Sequence, residues 1–313
     1  MGLTNFPNGV ASFGIPILPK LEDVTTGEVF FVQSTTGSNG NSGTDKDHPF
    51  ADLTYALSKC SAGAGDRIYC MPSHAETISA SGDLTLNVAG AEIIGIGRGA
   101  YRPTITYDTA DTAILLITGA STRLRNFILT ANYADVAMAV DVDAVDVSIE
   151  GCSFLETATL MNFLSCIGTD DTNNAADGLT IIGNERISVD AAALAFISIL
   201  ANISRLTVIG NFDSQSSAAN IGHFIIMGAF VCLHTKIIGN TLILNGDNSA
   251  QTVGIFATGS STTSTGVMAY NLEGSLDTTT ELFDTATLDF MHFNNYHVGT
   301  IATSGKLWPA ADA

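Results

Sequence analysis

Apolar and polar positions in the second half of this chain recur as one phrase: two apolar residues, mostly β-branched, then a Gly-Asn step, then a further apolar residue. It reads Ile181-Ile182-Gly183-Asn184, Val208-Ile209-Gly210-Asn211 and Ile237-Ile238-Gly239-Asn240, with looser copies at Leu124-Arg125-Asn126-Phe127, Ile149-Glu150-Gly151-Cys152, Ala269-Tyr270-Asn271-Leu272 and Phe293-Asn294-Asn295-Tyr296. With Asn126, Cys152, Asn184, Asn211, Asn240, Asn271 and Asn295 as markers, the steps are 26, 32, 27, 29, 31 and 24 residues. Repeats of that length mean stacked coils or blades, because one repeat cannot bury its apolar face alone. A second apolar run lies between phrases, as in Ala113-Ile114-Leu115-Leu116-Ile117, Ala137-Met138-Ala139-Val140 and Phe224-Ile225-Ile226-Met227. Each repeat therefore predicts two or more short strands with Gly, Asn, Ser and Thr at the corners. That pattern fits an all-β fold, a right-handed parallel β-helix (solenoid) whose turns of unequal length project from one face. Asparagine suits a fixed corner, since it tolerates left-handed dihedrals and its amide reaches the asparagine one coil away. A jelly roll or sandwich is the alternative; it would show turn signals every ~8–12 residues without the long phrase.

The same reading divides the chain into residues 1–27, an extended N-terminal arm, and residues 28–313, the solenoid. In the arm, Asn5-Phe6-Pro7-Asn8-Gly9 and Phe13-Gly14-Ile15-Pro16-Ile17-Leu18-Pro19 carry three prolines and two phenylalanines. Such a run forbids a regular helix and favours a polyproline-like strand whose apolar residues need a surface elsewhere. Residues 28–75 hold an opening strand, Val29-Phe30-Phe31-Val32, and a capping helix. In that helix Pro49 takes the first turn, and Phe50, Leu53, Ala56, Leu57 and Cys60 share one face before Gly63. A cap is required because an exposed strand edge invites open-ended association. Residues 260–313 bring late aromatics, Phe290, Phe293, Tyr296 and Trp308, and close the stack or pack against copies of the chain.

Charge narrows the partners. The 313 residues include 31 acidic and 12 basic ones, for a net charge of −19, so the clustered cationic surface that nucleic acid needs is absent. No apolar run reaches a membrane span, and the N-terminus has no secretory pattern. Cys60, Cys70, Cys152, Cys166 and Cys232 are odd in number and lack metal spacing; they read as free inward thiols of a protein made in a cytoplasm, with a Cys60–Cys70 bridge as the other option.

Candidate chemistry is sparse. A polysaccharide-cleaving solenoid needs two carboxylates across a groove, and the candidates are Asp108 with Asp111, Asp141 with Asp143 and Asp146, and Asp170 with Asp171. Asp141 and Asp143 share a strand face, since side chains alternate with period two. Sugar platforms are few near them, and Arg123, Arg125, Arg186 and Arg205 lie beside strands rather than beside these acids. The bland reading makes all of them solvated corner residues. Asp141-Val142-Asp143-Ala144-Val145-Asp146 lacks the glycine and distal glutamate of a helix-loop-helix calcium site, and the histidines at 48, 74, 223, 234, 292 and 297 have no zinc spacing. His74 reads as a residue that fixes a corner. No catalytic residue, metal or cofactor is expected.

Phe31-Val32, Gly37-Ser38, Asn41-Ser42-Gly43, Pro49-Phe50-Ala51, Gly65-Asp66-Arg67-Ile68-Tyr69, Met71-Pro72-Ser73-His74-Ala75-Glu76-Thr77 and Ile93-Ile94-Gly95-Ile96-Gly97-Arg98-Gly99 with Arg102-Pro103 carry a resemblance. Together they resemble the opening module of phage-encoded β-helix virion proteins, a module shared by pectin lyases, tailspikes and decoration proteins. Asn5-Phe6-Pro7-Asn8-Gly9-Val10 with Ser12-Phe13-Gly14 is similar to the arm that begins phage head decoration and head-fibre proteins, where it is taken to dock on the capsid. The resemblance implies a non-enzymatic decoration or cement protein on the capsid exterior, made in the host cytoplasm, with the major capsid protein as partner. Its docking residues would be Asn5, Phe6, Pro7, Asn8, Phe13, Ile15, Pro16, Ile17, Leu18 and Pro19. Small and apolar outer faces further suggest a homotrimer, with three copies side by side. The alternative is a tailspike-like protein that binds or depolymerises a host surface glycan.

Overall fold

Alternation along each short strand turns one set of side chains inward, and a coil repeat of 24 to 32 residues brings equivalent strands together. The computed structural model describes residues 11–12, 15–16, 25–158, 160–189, 194–215, 223–244, 257–259, 263–275, 290–299 and 307–308. Within them the chain is a parallel β-solenoid with three strands per coil in its regular part. The first sheet starts at Val29–Val32 and passes through Arg67–Cys70, Glu92–Gly95, Arg123–Arg125, Ser148–Glu150, Thr180–Ile182, Thr207–Ile209, Thr235–Ile238 and Gly266–Ala269 to Phe290–Phe293. The second runs from Ala75–Ile78 to Asn295–Gly299, and there Leu307–Trp308 pairs antiparallel at its edge. The third extends from Thr85–Leu86 to Ala257–Gly259.

The corner between the first and second sheets explains the recurring phrase. Arg125, Glu150, Ile182, Ile209, Ile238, Ala269 and Phe293 stand in register on successive strands. The residue after each, Asn126, Gly151, Gly183, Gly210, Gly239, Tyr270 and Asn294, is left-handed, with φ between 54° and 65°. One position further on, Phe127, Cys152, Asn184, Asn211, Asn240, Asn271 and Asn295 are all fully buried. The five asparagines form a ladder. Asn184 donates its backbone N–H and its Nδ2 to Asn211 Oδ1, at 2.9 and 3.1 Å. Asn211 does the same to Asn240, Asn240 to Asn271 and Asn271 to Asn295. Each Nδ2 also donates to a backbone carbonyl of the preceding coil, as Asn211 does to Ile181 O at 2.9 Å. The ladder ends where Cys152, with no amide, only donates its N–H to Asn184 Oδ1.

Two expectations are corrected here. The left-handed turn and the amide bonding fall on consecutive positions, glycine taking the first and asparagine the second. Asn126 therefore belongs to the glycine column, and Phe127 fills the ladder position; Asn126 Nδ2 instead closes a turn on Gly95 O at 2.7 Å. The capping helix is shorter than expected, Leu53–Leu57, with Asp52 as its cap accepting from Tyr55 N–H. Pro49 and Phe50 lie outside it because Phe50 pairs its backbone with Phe31 and Gln33. Buried His74 Nε2 lies 3.0 Å from Glu76 Oε1, which also accepts from Leu53 N–H and so ties the helix to the second sheet.

Aromatic rings run through the interior beside the ladder: Tyr107, Phe163, Phe154, Phe196 and Phe224 touch in sequence with centroids 5.0–6.4 Å apart. All five cysteines are free, and only Cys60 is not buried. Of the arm, Ala11–Ser12 pairs antiparallel with Ile15–Pro16. Asn5, Phe6, Pro7, Asn8, Phe13, Ile17, Leu18 and Pro19 lie outside the described residues.

Asn211→Leu would leave the buried Asn184 N–H without its acceptor, and an unsatisfied buried group costs about 1–3 kcal/mol. Chemical denaturation should show at least that loss, whereas Gly210→Asn, which copies Asn126, should stay within about 1 kcal/mol of wild type.

Candidate functional site

Charged side chains occupy three settings. On the outer face of the first sheet Arg67, Glu92, Arg123, Arg125 and Glu150 form a ladder of ion pairs across coils, with N–O distances of 2.7–3.2 Å. Burial opposes the Glu92 charge, yet Arg123, Arg67 and Arg125 hold that carboxyl below its ordinary range. In the interior, Arg186 makes a two-pronged pair with Asp213, Nε to Oδ1 at 2.8 Å and Nη2 to Oδ2 at 2.7 Å, both side chains almost fully buried. Gln215 Nε2 donates to Asp213 Oδ2 at 2.9 Å, so the aspartate is further satisfied. Glu273, in the same inward column, is also fully buried, and burial pushes its carboxyl well up.

The third setting is the outer face of the third sheet. Asp141 pairs in register with Leu116 on one coil and Gly168 on the next. Met138 packs so closely on Gly168 that a Cβ there would meet its thioether, and Leu116 and Met138 thus flank the carboxylate with apolar surface. Asp143 and Asp170 each follow the registered pair Val142 and Thr169 by one residue, so Asp170 and Asp171 of one coil stand beside Asp141 and Asp143 of the coil before. Burial first, then the charges of Asp170, Asp143 and Asp171, push the Asp141 carboxyl up to about 6, and its Oδ1 has no hydrogen-bond partner. Burial and Asp170 also raise Asp143. Asp170 moves the opposite way, because Thr172 donates to it, its backbone N–H at 2.8 Å. Adjacent acids with opposed shifts are the arrangement that lets one carboxyl hold a proton while the other stays ionised.

The remaining predicted acids are dispersed. Asp146 sits at a different corner and pairs with Arg205 at 3.0 Å, which corrects the expectation that the arginines stand apart from the acids. Asp108 accepts from Thr109 N–H, and Asp111 is exposed. Sequence reading did not find the Arg186–Asp213 pair or the approach of Asp170 to Asp141. The first had a signal: both residues lie two positions after a ladder asparagine. Among the described residues, no cluster of His, Cys, Asp or Glu has the arrangement of a metal site, and no helix is long and apolar enough to cross a membrane. Two open clefts of about 350 Å³ lie elsewhere, one bounded by Arg98, Arg102 and Glu185, the other by Arg67, Arg123 and Asp146. Neither is lined by Asp141, Asp143, Asp170 or Asp171.

No family model matches the chain, and no curated protein matches it. Solved structures do. A rhamnogalacturonan lyase aligns with a TM-score of 0.37 and 12% identity over 88% of this chain and 72% of that one. The pectate lyase Pel9A gives 0.36 and 12% over 93% and 83%, and a GH136 lacto-N-biosidase from Eubacterium ramulus gives 0.28 and 9% over 86% and 67%. These neighbours carry the names of enzymes, and the expectation of a chain without enzymatic activity is not kept, since a stacked solenoid does not by itself mark a structural protein.

Proposed function

We propose that this chain binds and depolymerises a host surface polysaccharide, with the outer face of the third sheet as its working surface. The observation that carries the reading is the register that sets Asp170 beside the partly buried Asp141, whose Oδ1 has no hydrogen-bond partner; burial raises Asp141 while Thr172 lowers Asp170. Cleavage of a glycosidic bond by two carboxyls needs one protonated group to give its proton to the leaving oxygen and one ionised group to activate water or meet the sugar carbon. Asp141 suits the first role and Asp170 the second, while burial, then the charges of Asp170 and Asp143, favour the protonated form of Asp141. The test is release of reducing ends from host polysaccharide across a pH series. Activity should fall above about pH 6 as Asp141 loses its proton, and Asp141→Asn should lower it at least ~100-fold without unfolding the protein. Undiminished release by Asp141→Asn, or release of unsaturated sugars independent of it, would count against the assignment.

A second reading rests on the arm. Its opening sequence supports attachment to the outside of a phage capsid, where the solenoid would serve as a decoration or cement protein and the major capsid protein as its partner. Both readings can hold for one molecule, since the arm and the third sheet are separate parts of the chain. Deletion of residues 1–20 should leave a folded, soluble protein that no longer binds shells; retained binding would remove the docking role.

A further inference from the structure

Two columns of side chains line the interior on either side of the Gly-Asn corner. The first-sheet column runs through Ile149, Ile181, Val208, Ile237 and Met268, all buried, and continues to His292, in register with Met268. The second-sheet column runs through Phe154, Arg186, Asp213, Leu242 and Glu273, and its next register position is His297. Read as one strand, residues 292 to 297 would put their two histidines on opposite faces. The left-handed corner at Asn294 divides that stretch, so the two histidines take corresponding places on its two sides.

Earlier in the stack, the second-sheet column settles its charge by pairing Arg186 with Asp213 one coil on. Glu273 has no such cation beside it on the preceding coil, where its register partner is Leu242. Its side chain is fully buried, and neither carboxyl oxygen has a hydrogen-bond partner. Both ring nitrogens of His292 are likewise buried without a partner. A buried carboxylate left alone is strongly disfavoured. Burial accordingly drives both groups toward their neutral forms, the Glu273 carboxyl up and the His292 imidazole down. A neutral imidazole and a carboxyl that gives up its proton to a cation are donors that a divalent metal takes. Two such groups do not complete a metal site, and register supplies a third residue at 297.

We infer that Glu273 and His292, with His297 as the third ligand, hold one divalent transition-metal ion inside the C-terminal end of the solenoid, fastening two successive coils. The donor set selects the class: imidazole suits zinc and its neighbours, whereas calcium and magnesium take oxygen ligands. Strands of adjacent coils lie ~4.8 Å apart, close enough for a carboxylate and imidazoles to meet one ion at ~2.0–2.2 Å. Among the described residues the first sheet ends with Phe290–Phe293, so the ion would tie down the coil at which strand pairing on one side stops. This inference does not depend on the glycan reading, which uses the third sheet.

The experiment strips the full chain with EDTA, loads it with Zn2+, and measures the zinc retained after gel filtration together with the thermal midpoint. The expected result is one zinc per chain and a midpoint raised by at least ~3 °C. Glu273→Gln and His292→Gln should each weaken zinc binding at least ~10-fold and remove the rise. Should either variant fail to fold, X-ray absorption at the zinc edge of the loaded wild-type protein should show two imidazole nitrogens and a carboxylate oxygen at ~2.0–2.2 Å. Absence of retained zinc would overturn the inference, as would zinc held undiminished by either variant. Bound zinc that leaves the midpoint unmoved, or a zinc shell without imidazole nitrogen, would overturn it too.

Discussion

Each corner asparagine offers one side-chain oxygen to the backbone N–H of the asparagine one coil before it, and the architecture depends on that acceptor. A left-handed corner turns the chain sharply but removes the following N–H from the sheet ladders, and a buried N–H without a partner is expensive. The amide resolves this by accepting that N–H and returning its own Nδ2 to a carbonyl of the neighbouring coil. Because the bond joins equivalent atoms of successive coils, it fixes their register as well as closing the corner. The glycine before it has open space where a Cβ would sit at Gly183, Gly210 and Gly239, so its role there is backbone conformation, not packing. This is why asparagine also serves at 126 and tyrosine at 270.

Register in turn decides where charge can stand. A column that lies two residues after the ladder points inward, and it contains Phe154, Arg186, Asp213, Leu242 and Glu273 in turn. Arg186 and Asp213 tolerate that place because they face each other on adjacent coils; removing either would strand a buried charge, which costs about 3–5 kcal/mol. On the outer face the same logic builds the Arg-Glu ladder, and on the third sheet it brings Asp170 beside Asp141. There, repulsion and partial burial are not relieved by a cation, and the protonated form of Asp141 gains. A feature that a purely structural surface would avoid is thus kept on the one sheet proposed to meet substrate.

How much of this could be read from the chain differs by feature. The Gly-Asn phrase revealed the solenoid because both its residues answer to local backbone geometry, which sequence encodes directly. The offset at Asn126 was missed because asparagine can fill either position of the phrase, and only its neighbour Phe127, inward and buried, distinguishes them. Helix length was overestimated since an apolar face at helical spacing cannot reveal that Phe50 is already committed to strand pairing. The meeting of Asp141 with Asp170 was hidden for another reason: it depends on the length of the loop between their strands, and loops of a solenoid vary from coil to coil. Ile182, Ile209 and Ile238 look like core residues until register turns them outward.

Hydrogen exchange at the backbone amides of Asn184, Asn211, Asn240 and Asn271 tests the dependence on the ladder most directly. If the acceptor in each corner holds the coils together, these amides open only when the solenoid unfolds, and their protection should equal the largest in the molecule. Exchange at the rate of exposed loop amides, such as those of residues 34–47, would contradict the account, because coil register would then be held by the sheets alone.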